Sequence, residues 1–114
     1  GGMIPTWPGS ARVRFLNAAY GYPPFRIFNN NRRAVNELAF TAISPYGRFI
    51  AGYRTITVTG MNGYIYLQKT LPFEAGSTST VAVINRTGGL DLIQIPDVCC
   101  APNLQLPGQQ PGLW

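Results

Sequence analysis

The chain has 114 residues, nine Lys+Arg against four Asp+Glu, and no histidine. A length near 100–150 residues fits one domain with its own core. Charged residues make up 11%, against about 25% in a typical globular protein. This composition excludes a highly charged disordered chain, and the missing imidazole removes Ser-His and Cys-His catalysis. No run approaches the ~18 apolar residues of a membrane-spanning helix.

Residues 1–10 are rich in Gly and Pro and read as an N-terminal arm carrying Trp7. The start lacks the charged and apolar regions of a signal peptide. Residues 11–96 hold a series of short apolar runs that read as one domain. Arg12–Asn17 turns Val13 and Phe15 one way, Arg12 and Arg14 the other. Phe25–Asn29 follows, closed by the turn residues Asn30 and Asn31. Ala34–Phe40 and Ser44–Ile50 are weaker runs, and Arg32–Ala39 has the makings of one helical turn. Tyr53–Thr59 sets Ile56 and Val58 against Thr55, Thr57 and Thr59. Asn62-Gly63 then predicts a tight hairpin into Tyr64–Leu71, with Ile65, Leu67 and Leu71 on one face. Thr78–Asn85 points Val81 and Val83 inward. Thr87-Gly88-Gly89 reads as a turn, and Asp91–Ile95 closes the series before Pro96.

Seven to eight short strands with turn signals every 8–12 residues predict an all-β, antiparallel, immunoglobulin-like sandwich. The expected core is Val13, Phe15, Ile27, Ile56, Val58, Ile65, Leu67, Val81 and Val83. Residues 97–114 form a Pro- and Gln-rich tail that can be neither helix nor good strand. Its terminal Leu113-Trp114 pair suggests a strap docked on its own sandwich or on a neighbouring molecule.

Little points to catalysis. Glu37, Glu74, Asp91 and Asp97 are too dispersed for a carboxylate pair or a calcium loop. Cys99 and Cys100 are adjacent, which disfavours a bond between them, and they lack the partners of a zinc site. No phosphate-binding glycine motif occurs. No catalytic residue, metal or cofactor is therefore expected.

The cations carry more information, because eight of the nine are arginine. Arginine binds carboxylate and phosphate through a planar fork. The arginines are spread along the chain in ones and twos, unlike a basic nucleic-acid patch, so no nucleic-acid partner is expected. Tyr20, Tyr22 and Phe25 cluster with Pro23 and Pro24, either as a loop packed on the sandwich end or as a platform for sugar or peptide.

Several runs carry a family resemblance. Val13–Ala19 is similar to an opening V-R-F-L-H-A-S motif, and Phe25–Arg32 to V-D-V-Y-V-N-G. Ser44–Tyr46 with Ile50–Val58 resembles an A-G-x-Y-x-V-x-V hairpin. Leu71–Ser77 with Thr80–Val83 resembles L-x-x-G-x-x-Y-T-V-A, and Leu92–Asp97 the closing L-x-x-L-x-D. Together they resemble the bacterial domain-of-unknown-function family 4397 over residues 11 to about 102. Asn17 stands where that pattern has His, Arg26 where it has Asp, and Asn31 where it has Gly. The resemblance implies an immunoglobulin-like sandwich from secreted, envelope or cell-surface proteins, and no established activity.

Two functions are compatible with these residues. One is a non-enzymatic structural or adhesion module of a bacterial envelope, spore surface or secreted protein, touching other protein chains or itself through the tail. The other is a carbohydrate- or anionic-polymer-binding module. Its candidate contacts are Arg14, Arg26, Arg48, Arg54, Tyr20, Tyr22 and Trp114. Arg14, Arg26, Arg48 and Arg54 are read as outward-facing; their convergence with tyrosine in one concave patch would favour binding, and scatter would favour the structural role.

Overall fold

A computed structural model describes residues 9–97. The terminal segments with Trp7, Cys99, Cys100 and Trp114 lie outside the described residues, as does the expected docking of the tail.

Among the described residues eight strands form: β1 (Ser10–Ala18), β2 (Phe25–Asn29), β3 (Arg32–Leu38), β4 (Gly47–Ile50), β5 (Gly52–Gly60), β6 (Ile65–Phe73), β7 (Thr78–Arg86) and β8 (Gly89–Pro96). They make two four-stranded sheets, ordered β4-β1-β7-β8 and β3-β2-β5-β6. The period-2 apolar pattern explains the layering. Val13 and Phe15 from β1, Phe25 and Ile27 from β2, Ile56 and Val58 from β5, and Val81 and Val83 from β7 are almost fully buried between the sheets. Gly63, at φ 89°, supplies the left-handed residue that the β5–β6 hairpin needs.

The structure departs from the sequence reading in four places. Within the antiparallel frame, β1 pairs with β7 in parallel, from Arg12↔Thr78 to Ala18↔Ile84. The Arg32–Ala39 segment is strand rather than a helical turn, because pairing with β2 overrides local propensity. Ile65 is exposed, not core. The β5–β6 register passes from Val58↔Leu67 to Thr59↔Ile65, so Tyr66 is an extra residue. That bulge reverses the facing beyond it: Tyr66 packs against the core while Ile65 faces out, and Leu67 is only partly buried. Finally, Arg54 shares its face with Ile56 and Val58, so it belongs to the inner rather than the outer surface of β5.

One long flank brings the edges β6 and β8 together; at the other the edges β3 and β4 stand apart, and β3 leans on β1 instead. Side chains bridge the first. Lys69 Nζ reaches Asp91 Oδ1 at 3.0 Å and the Leu92 carbonyl at 3.2 Å, and Gln94 Nε2 donates to the Pro72 carbonyl at 2.7 Å. At the second flank β3 is bulged twice against β2, and β4 has only four residues.

Candidate functional site

The four acids do not assemble a reaction centre. Asp91 Oδ1 accepts from Lys69 and from the Leu92 amide, while Oδ2 meets Arg86 Nε at 2.7 Å. The hydrogen bond from Lys69, then that from the Leu92 amide, holds its carboxyl below the ordinary carboxylate range against a modest desolvation penalty. Asp97 accepts the Tyr46 hydroxyl at 2.6 Å and the Thr80 hydroxyl at 2.8 Å. Glu37 and Glu74 are exposed on separate elements. Among the described residues no group of three or more His, Cys, Asp and Glu side chains could hold a metal ion.

The sequence-derived contact set divides. Arg14 belongs to a polar network on the outer face of the β1 sheet. Its Nε donates to Thr80 Oγ1 at 2.9 Å and lies 3.8 Å from Asp97. The guanidiniums of Arg14 and Arg12 stack over the Tyr46 ring, at 4.8 and 5.0 Å from its centroid. Arg26 is on the outer face of the other sheet, with Nε donating to the Asn36 carbonyl at 3.3 Å. Tyr22 is packed, meeting Phe25 and Tyr66 at centroid separations of 5.6 and 5.2 Å. This is the loop packed on the sandwich end. Tyr20 is exposed, while its amide is fixed by Asn85. These residues do not meet in one patch.

Arg48 and Arg54 do come together, in the mouth between β3 and β4. They line a groove of about 390 Å³ with Asn29, Arg32, Arg33, Ala34, Gly47, Phe49 and Ile50. Four arginines thus border one groove whose lining holds no acid: Arg32 and Arg54 on the inner side, with Asn29, and Arg33 and Arg48 at its outer rims, paired with outward Phe28 and Arg12. Two of them are steered by neutral acceptors. Arg54 Nε donates to Asn29 Oδ1 at 3.0 Å, and Arg33 donates to Asn36 Oδ1 at 3.1 Å. An amide oxygen fixes the geometry and leaves the positive charge uncompensated. By contrast, Lys69 and Arg86 are held by Asp91, and Arg14 lies near Asp97. The groove continues past Ala34, Gly47 and Phe49 into a second hollow of about 440 Å³, bordered by Val35, Glu37, Pro45 and Tyr46.

Arg32 and Arg33 were missing from the sequence-derived set because their segment read as a weak strand or helical turn. A usable signal was present: a paired Arg directly after the Asn30-Asn31 turn, where a strand begins. Asn17, which replaces the family's His, is wholly buried. It donates to the Leu38 carbonyl and accepts from the Ala19 amide, each at 3.0 Å. At that position the chain has a structural clamp on the end of β3.

Eight strands in two facing sheets, with the core between them, define an immunoglobulin-like β-sandwich domain. The chain belongs to the family described as Domain of unknown function (DUF4397), whose model matches residues 11–104. A comparison with curated proteins finds no match.

Proposed function

We propose that this domain is a non-enzymatic contact module of a surface or secreted protein and that it holds a polyanionic partner chain along its β3/β4 flank. The observation that carries this reading is that Arg32, Arg33, Arg48 and Arg54 border one groove without a lining carboxylate, Arg32 and Arg54 from its inner side and Arg33 and Arg48 from its outer rims. Forked guanidiniums suit planar oxyanions, and a local excess of one sign attracts an oppositely charged chain from solution. The dispersal of Arg14, Arg26, Tyr20 and Tyr22 is the scatter expected of a structural role and speaks against the sugar-platform form of the binding reading; of the expected set only Arg48 and Arg54 border one groove, without tyrosine. A purely structural role through the tail would rest on residues outside those described.

Titration with fluorescent polyglutamate tests the proposal. Wild type binds at low ionic strength, and binding falls steeply as salt rises. Arg32→Glu combined with Arg54→Glu abolishes it. Arg26→Glu, outside the groove, leaves most of it. Equal losses from Arg26→Glu and from the groove double variant would mean that the net charge, not the groove, attracts the polymer, and would refute the assignment.

A further inference from the structure

We infer that the occupant of the groove is an acidic peptide bound as an added strand on the outer edge of β4. This rests on the polyanion reading above and names the class of chain.

The backbone of β4 supplies the argument. In an antiparallel pair, alternate residues exchange hydrogen bonds with the partner and the intervening ones point their N–H and C=O away. Here the Ala51 amide donates to the Gly9 carbonyl at 2.9 Å. The ladder then runs through Ser10↔Ile50, Ala11↔Phe49, Arg12↔Arg48 and Val13↔Gly47. By alternation, Phe49 and Gly47 bond to β1, whereas Arg48 and Ile50 turn their polar groups outward. The opposite strand agrees: the Arg12 amide reaches the Ser77 carbonyl and the Ser10 carbonyl takes the Gly76 amide, both on the side away from β4. Among the described residues β4 pairs with β1 alone. It therefore offers two outward-facing residues to an incoming backbone, beside the groove that Arg48 and Ile50 help to line.

The opposite wall explains the choice of strand. Two register shifts in the β2–β3 pairing leave β3 irregular, a poor template for a second strand. It contributes Arg32 and Arg33 instead. An extended peptide on β4 projects alternate side chains to one side, so acidic residues at every second position meet either Arg32 and Arg54 on the inner side or Arg48 on the outer. A sulfated or uronic glycan has no peptide backbone whose N–H and C=O groups repeat at strand spacing to pair with Arg48 and Ile50. It would also find one ring in the arginine half, Phe49, at 4% exposure. Residues 1–8 and 98–114 do not qualify, since they contain no Asp or Glu.

The experiment uses a short capped peptide alternating glutamate with threonine, long enough to span β4. Two forms of it are N-methylated at one or the other alternate set of amides, and a sulfated glycan of matched charge is run beside them. Binding is followed by anisotropy. In parallel, hydrogen exchange at the Arg48 and Ile50 amides is followed by NMR on the unmodified domain. Methylation of one alternate set should weaken binding at least roughly tenfold, the loss of one or two backbone hydrogen bonds, while methylation of the other set changes little. Exchange at both amides should slow on adding the unmethylated peptide. If neither methylated set matters, or the glycan binds as tightly as the peptide, strand addition is overturned while the polyanion reading stands. If no polyanion binds, both fall.

Discussion

Along one flank the edges β6 and β8 are tied across the sheets by Lys69, Asp91 and Gln94; along the other, β3 and β4 frame a groove lined by four arginines. Both flanks place charge over the rim of the same core. At the first, opposite charges are interleaved: Asp91 sits between Lys69 and Arg86. At the second, like charges gather and are steered by Asn29 and Asn36. The molecule thus concentrates unneutralised charge where its sheets stand apart. A flank built for stability pairs its ions.

Substitutions can break or sharpen that contrast. The largest effect belongs to the core that both flanks share. Ile56→Ala, at a site with no exposed surface, should cost about 2–5 kcal/mol in chemical denaturation. A midpoint unchanged by this variant would mean the β5 register is wrong. Next comes Asn17→Ala, which strips a partner from the Leu38 carbonyl and the Ala19 amide. A loss of about 1–3 kcal/mol is expected, with faster amide exchange at the end of β3.

At the tied flank, Asp91→Asn should destabilise by less, about 1 kcal/mol, because Lys69 and Arg86 are partly solvated. The pH dependence gives the sign. The Asp91 carboxyl is held below its usual range in the folded chain, so its contribution is complete above the unfolded-state value. That contribution is lost as pH falls through the folded-state value. Wild type and Asp91→Asn should therefore converge in stability on acidification. A gap that widened instead would contradict the ion-pair assignment. The smallest effect is expected at the open flank. Arg48 lies directly opposite Arg12 in the ladder, and like charges in that position repel. Arg48→Gln should leave stability within about 0.5 kcal/mol of wild type, or raise it slightly, as for most surface changes. A loss above about 1 kcal/mol would make Arg48 a structural residue and weaken the contrast.

How much of this was legible in the sequence depends on the range of the interaction. The alternation in Tyr53–Thr59 fixes which side of β5 is buried, and Ile56 and Val58 lie there. Asn62-Gly63 marks its hairpin from two residues. Ile65 failed because a bulge is a property of the paired strands, and the alternation of one strand does not record it. The arginine groove was hidden for a longer-range reason. Arg32 and Arg33 belong to one sheet and Arg48 to the other, so their meeting depends on how two sheets stack. Spread along the chain in ones and twos, they gave no local sign of convergence. Arg54 was assigned to the outer face although it has the parity of Ile56 and Val58, because its charge was weighed above its parity.

The parallel pairing of β1 with β7 bears on the order in which the domain can be built. Arg12 is matched with Thr78, so the first strand of the sheet must wait for a partner encoded 66 residues later. Closing so long a loop is entropically costly before its contacts form, and pairings of this kind slow folding. On a ribosome, β2, β4 and β5 emerge before β7, so the antiparallel β2–β5 pairing can form while β1 has only the four-residue β4 to pair with. Val13 and Phe15 are then exposed apolar surface until the second half of the domain emerges. Refolding rates of Phe15→Leu and Ile27→Val variants would report whether β1 docks late, as that order requires.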